Sequence, residues 1–79
     1  MKTFIALAAS ILAYSSTAQA QTICGVKINL AGTANPGLSV SEVVRGVREM
    51  EGRAKVCKHE GNTWVIITYD GRYFEALEF

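Results

Sequence analysis

The first twenty residues, MKTFIALAASILAYSSTAQA, limit what this chain can fold into. Lys2 gives a short positive start, Phe4 to Tyr14 run apolar, and Ser15 to Gln19 turn polar ahead of the small-x-small site Ala18-Gln19-Ala20. That is the pattern of a secretory signal peptide. The apolar run is well short of the ~20 residues a spanning helix needs. Lipid attachment would require a cysteine directly after the cut, and Cys24 stands further on. The sequence therefore predicts a signal peptide over 1–20 and one small domain over 21–79. It predicts export to the periplasm or the extracellular space, with no stable membrane anchor after cleavage.

A domain this small buries only about 60% of its unfolded surface, and small exported domains compensate with disulfides. Cys24 and Cys57 are the only cysteines, so one pairing exists. An oxidising compartment favours the bond over two free thiols, and in the chain-entropy model such a loop contributes roughly 3–4 kcal/mol. The whole chain has 8 Lys and Arg against 7 Asp and Glu, so loss of Lys2 leaves the domain formally neutral. Nucleic-acid binders and cationic membrane-active peptides need a strong positive excess, and neither class fits. A local basic cluster remains at Arg53, Lys55 and Lys58, where lysines can also serve simply to blunt a sheet edge.

Along the domain, TICGVKINL at 22–30 alternates as a strand does, with Cys24, Val26, Ile28 and Leu30 on one side. Ala31–Gly37 reads as a loop, holding two glycines, an asparagine and the only proline. Ser39-Val40-Ser41-Glu42 is a capping box, with Leu38 and Val43 placed for a hydrophobic staple. Val40, Val43, Val44, Val47 and Met50 form a stripe at helical spacing. Arg45–Glu49 and Arg48–Glu51 are spaced as ion pairs, and Gly52 reads as the C′ residue. Three strands follow, Ala54–Glu60, Thr63–Tyr69 and Arg72–Phe79, joined by turns at Gly61-Asn62 and Asp70-Gly71. The expected fold is α+β, in the order β-α-β-β-β, with one helix packed on an antiparallel meander.

Two-residue turns fix register. On that reading one face carries Val56, Ile67 and Phe74 in a row, flanked by Ala54, Val65, Tyr69 and Ala76, and receives the helix. The opposite face carries Cys57, Ile66 and Glu75, then His59, Trp64 and Leu77, then Lys55, Thr68 and Tyr73. One short helix cannot cover both faces. Either the Cys24 strand and its loop fold over the second face, or that face meets a partner. A Cys24–Cys57 bond would bring the N-terminal segment there.

The chemistry-bearing residues are sparse. Cys57 and His59 make C-x-H on one strand face, with Glu75 across the sheet, and such a set could ligate a metal only with Cys57 reduced. His59 has no nucleophile to serve once the disulfide forms, and nothing marks an oxyanion hole. The glycines form no phosphate-binding loop. No catalysis, metal or cofactor is expected. Trp and Tyr dominate binding hot spots. Trp64, Tyr73, Ile66 and Leu77, with Lys55 and Lys58 at the edge, are the candidate partner-binding residues.

Residues 39–77 resemble the small exported PepSY-type repeat. The likeness rests on a helix ending near Gly52, followed by KVCKHEGNTWVIITYDGRYFEAL as meandering strands with a Trp-Val core and a Y-D-G-R turn. It covers about half the chain, and the Cys24 strand and the second cysteine depart from it. The resemblance implies a non-catalytic envelope module that binds or restrains another protein, often a peptidase, and it carries over no functional residues. The expected function is thus a secreted or periplasmic binding or inhibitory module acting on another protein. The alternatives are a structural or self-associating envelope protein, a homodimer through the same face, or a secreted effector or toxin.

Overall fold

The computed structural model describes residues 21–79; the predicted signal peptide over 1–20 lies outside the described residues. The fold is α+β. Strands β1 (Gln21–Ile23) and β2 (Val26–Ile28) form a small antiparallel hairpin. Strand β3 (Leu30–Thr33) leads into helix α1 (Val40–Glu49), and β4 (Arg53–His59), β5 (Asn62–Thr68) and β6 (Phe74–Glu78) complete the chain. The main sheet has the order β3-β6-β5-β4, antiparallel except for β3, which runs parallel to β6.

Helix α1 forms as its signals indicate. The Ser39 hydroxyl accepts from the Glu42 N–H, and the Glu42 carboxylate accepts from the Ser39 N–H at 3.0 Å. These bonds satisfy two amide donors at the helix entry that would otherwise be left open. They also hold the Glu42 carboxyl below its ordinary pKa, chiefly through the Ser39 N–H. The stripe docks Val43 and Val47 onto Val65, Ile67 and Leu77, with Leu30, Leu38, Val40, Val44, Ala54 and Phe79 around them.

The helix exit differs from expectation. Glu51, at φ 63°, is the left-handed C′ residue, and Gly52 follows it. Glu51 N–H donates to Arg48 C=O and Gly52 N–H to Val47 C=O, at 2.9 and 2.8 Å, which is a Schellman motif. Gly52 is required by packing instead: a Cβ there would fall 2.5 Å from the Tyr69 ring and 2.9 Å from Val47. The Arg45–Glu49 and Arg48–Glu51 pairs do not close. Among the described residues the one close approach of a basic to an acidic side chain is His59 Nε2 to Glu60 Oε2 at 3.7 Å.

The expected single strand over 22–30 is a hairpin. Cys24 and Gly25, at φ 55° and 79°, turn the chain back after three residues. Positive φ at both central positions is the requirement of the tight hairpin turn. The turn breaks the alternation, so Ile23 and Ile28 are both buried on the sheet. The expected loop at Ala31–Gly37 begins as strand: Ala31, Gly32 and Thr33 pair with Ala76, Leu77 and Glu78. Asn29 guides this pairing, donating its N–H to Phe74 C=O and accepting the Phe74 N–H on its side chain, at 2.9 and 2.7 Å.

Both turns of the meander fall elsewhere than expected. The first is Glu60-Gly61, at φ 53° and 87°, which sets Cys57 opposite Trp64 and Val56 opposite Val65. The second is longer. Asp70 Oδ1 accepts from the N–H groups of Arg72 and Tyr73 at 2.7 and 2.9 Å, and Thr68 Oγ1 accepts from Gly71 N–H at 2.9 Å. Asp70 is therefore the acceptor of an Asx-type turn rather than the first residue of a two-residue hairpin turn. Its carboxyl is held below its ordinary pKa by the Tyr73 and Arg72 N–H groups in that order. The consequence is a one-residue slip of β6, with Val65 opposite Leu77 and Thr68 opposite Phe74. A slip of one residue exchanges every side chain between faces. Leu77 and Glu75 lie on the helix face, and Phe74 and Ala76 on the other, the reverse of the expected arrangement.

Candidate interaction surface

The second face is covered by the hairpin. Ile23 and Ile28 pack on Ile66 and Ala76, with Cys24, Val26, Ala31, Cys57, Trp64 and Phe74 around them. Cys24 and Cys57 are bonded. The bond clamps the β1–β2 turn to β4, and the Cys24 N–H also donates to His59 Nδ1 at 3.3 Å. His59 meets the Trp64 ring edge-on, with centroids 6.4 Å apart.

This cover redistributes the predicted partner-binding residues. Leu77 is fully buried beneath α1, and Ile66 is nearly so beneath the hairpin. Trp64 is half-buried, and its indole N–H is enclosed without an acceptor among the described residues. Tyr73 is 47% exposed, but it stands in the β5–β6 connection, off the hairpin-covered cluster. Lys55 and Lys58 are exposed on β4. The structure therefore brings Lys55 and Ile66 together as cross-strand partners and separates Leu77 and Tyr73 from them.

An open edge remains at β4, apart from the exposed Tyr69 and Tyr73. β4 is a seven-residue edge strand that, among the described residues, pairs only with β5. It carries Arg53, Lys55 and Lys58 and no acid, and none of the three makes an ion pair among the described residues. Val56, midway along, is 48% exposed. Beside the strand, on the second face, the hairpin leaves a groove of about 440 Å³. Val26, Ile66 and Phe74 give it apolar walls, and Arg53 and Lys55 stand at its β4 side. Sequence reasoning singled out the three cations but missed Val26 and Phe74, whose place depends on the Cys24-Gly25 turn and on the slip of β6.

The opposite side of the sheet has the opposite charge. β6 carries Glu75 and Glu78 and no base, and β3 beyond it carries no charge. Burial raises the Glu75 pKa above its ordinary value. Burial, then the neighbouring Glu75 charge, raises that of Tyr69.

The set Cys57, His59 and Glu75 is dispersed. Cys57 is held in the disulfide, His59 Nδ1 faces the Cys24 N–H, and Glu75 is on the other face. Among the described residues no three His, Cys, Asp or Glu side chains group as a metal site, and no helix is long and apolar enough to cross a membrane. Comparison with known proteins returns no likeness: no family model, no curated protein and no solved structure matches the chain.

Proposed function

We propose that this protein is exported and acts as a small non-catalytic module that binds, and by binding restrains, another protein. One observation carries the reading: an exposed edge strand whose acid and base residues are all Lys or Arg apart from His59 lies beside a groove with apolar walls. Exposed long edges are normally paired, covered, shortened or blunted with charge, and on β4 only the charge is present. Here β4 is stapled to the hairpin at one end and open over the rest of its length. The Cys24–Cys57 bond fits the oxidising compartment to which residues 1–20 would direct the chain. The PepSY-type resemblance read in the sequence of residues 39–77, which no family model matches, would imply the same class of role.

The test compares two baits in the native envelope or extracellular fraction. One is the exported protein with its disulfide intact, and the other is the same protein carrying Lys55→Glu and Lys58→Glu. Both substitutions are on exposed side chains, and matched thermal melts establish that both baits are folded. A protein retained by the first and lost from the second supports the reading. Equal retention by both, or by neither, sinks it.

A further inference from the structure

The backbone of β4 says more about the partner than its side chains do. The turn Glu60-Gly61 is flanked by the pair His59 and Asn62. In a two-residue hairpin the flanking pair exchanges both hydrogen bonds, and bonded pairs then recur at every second residue. His59, Cys57, Lys55 and Arg53 therefore turn their N–H and C=O groups inward to β5. Ala54, Val56 and Lys58 turn theirs outward. At Lys58 the carbonyl lies 3.7 Å from Cys24 Sγ, so the stapled turn closes that end. Ala54 and Val56 remain, offering two donors and two acceptors in line, with Lys55 exposed between them.

We infer that β4 takes up an extended, acidic segment of a partner protein as an added strand, hydrogen-bonded to the backbone of Ala54 and Val56. This rests on the binding reading above and names the form of its partner. Strand addition draws affinity from main-chain bonds and selectivity from alternate side chains. Arg53 and Lys55 face the groove side and Lys58 the helix side, so carboxylates on either face of the added strand meet a cation. Apolar side chains of the segment have Val56 on one face and the Val26–Ile66–Phe74 groove on the other. A second copy is the wrong occupant, since pairing β4 with itself would set two groups of Arg53, Lys55 and Lys58 in one ribbon with no anion between them. Like charges across strands destabilise the pairing.

The experiment is amide hydrogen exchange by NMR on the exported protein, free and with a short synthetic peptide alternating glutamate and valine. In the free protein the Ala54 and Val56 amides exchange fast while those of Lys55 and Cys57 are protected. The peptide protects Ala54 and Val56, and the effect fades with added salt. Its lysine-for-glutamate counterpart does nothing. Val56→Pro removes an outward N–H without touching the β5 ladder and abolishes the protection. Lys55→Glu weakens binding by about tenfold or more. Peptide binding that leaves Ala54 and Val56 unprotected overturns strand addition and leaves the broader binding reading standing. Failure of the acidic peptide to bind overturns the inference too, while differential capture by the two baits above would still uphold that reading. Protection that rises with protein concentration alone assigns the edge to a second copy and overturns it as well. The exchange pattern of the unmutated protein keeps the test valid where Val56→Pro fails to fold.

Discussion

On the helix-clad face of the sheet, Val43, Val47, Val65, Ile67 and Leu77 are withdrawn from water; on the hairpin-clad face, Ile23, Ile28, Ile66 and Ala76 are equally so. The covers differ in kind. Helix α1 has ten residues, a reciprocal bond network at its entry and a Schellman motif at its exit, and its stripe holds it down without any covalent tie. The hairpin has two strands of three residues each, and an isolated two-stranded hairpin is marginal in water. It is tied by the disulfide. A long cover can be held by packing, whereas a short one needs a bond.

The most direct way to break this comparison is to remove the bond. With a sequence separation of 33, the Cys24–Cys57 link contributes about 3–4 kcal/mol in the loop-entropy model. Replacing both cysteines by serine is expected to cost most of that in urea unfolding. Trp64, directly opposite Cys57, reports the local event. A disulfide this close would quench its fluorescence, which is therefore expected to rise on reduction before the helix signal in circular dichroism is lost. Simultaneous loss of both signals would mean that the two covers are one cooperative unit.

Leu77→Ala tests the other cover and the register together. A buried leucine truncated to alanine costs about 3 kcal/mol, and Leu77 is fully buried beneath α1. Had β6 kept the register of a two-residue Asp70-Gly71 turn, Leu77 would lie on the hairpin side and the same change would weaken chiefly the hairpin. Hydrogen exchange in α1 against β2 distinguishes the two.

Those two positions also mark how far the fold was legible. Helix α1 was readable because Ser39, Glu42 and the valine stripe act within one turn or two, where the signals are local. The disulfide was readable from the predicted compartment and the cysteine count. The strands of the meander were readable from alternation, but their register was not. Asp-Gly specifies a tight turn only when Asp70 occupies a turn position itself; here its side chain accepts from Arg72 and Tyr73 and lengthens the connection. Cys24-Gly25 hid its turn inside an alternating run. Of the candidate surface, Lys55 and Lys58 were legible as exposed edge cations. The choice between a covered second face and a partner surface was not legible: Ile66 and Leu77 are buried and Trp64 half-buried by non-local covers.

Gly52→Ala gives a smaller effect on the helix side. The added Cβ meets the Tyr69 ring at 2.5 Å and Val47 at 2.9 Å, so one of them must move. Overpacking of this kind costs about 1–3 kcal/mol, readable as a lowered thermal midpoint and a shifted Tyr69 ring resonance.

The smallest effect comes from Glu75, whose folded pKa is raised above 4.5 by burial. A carboxyl raised on folding favours the folded state when protonated. Its favourable contribution is full below pH 4.5 and is lost as pH rises through the folded value. Glu75→Gln is therefore expected to stabilise at neutral pH and to match the parent below pH 4.5. The comparison must be made as a difference between the two proteins, because Glu42 and Asp70, both lowered on folding, withdraw stability from each as pH falls.

The Cys24–Cys57 bond also decides how the molecule would carry a mechanical load. Tension applied between Gln21 and Phe79 would pass from residue 24 straight to residue 57 and on through the β4–β5 and β5–β6 ladders. The backbone between the cysteines, helix α1 included, would carry load only through its non-covalent contacts, such as the pairing of β3 with β6. At about 3.3–3.6 Å per residue, roughly 110 Å of chain is hidden from the pulling axis until the bond is reduced. The oxidised protein would thus be the shorter and stiffer tether, and reduction would lengthen it without cutting the backbone.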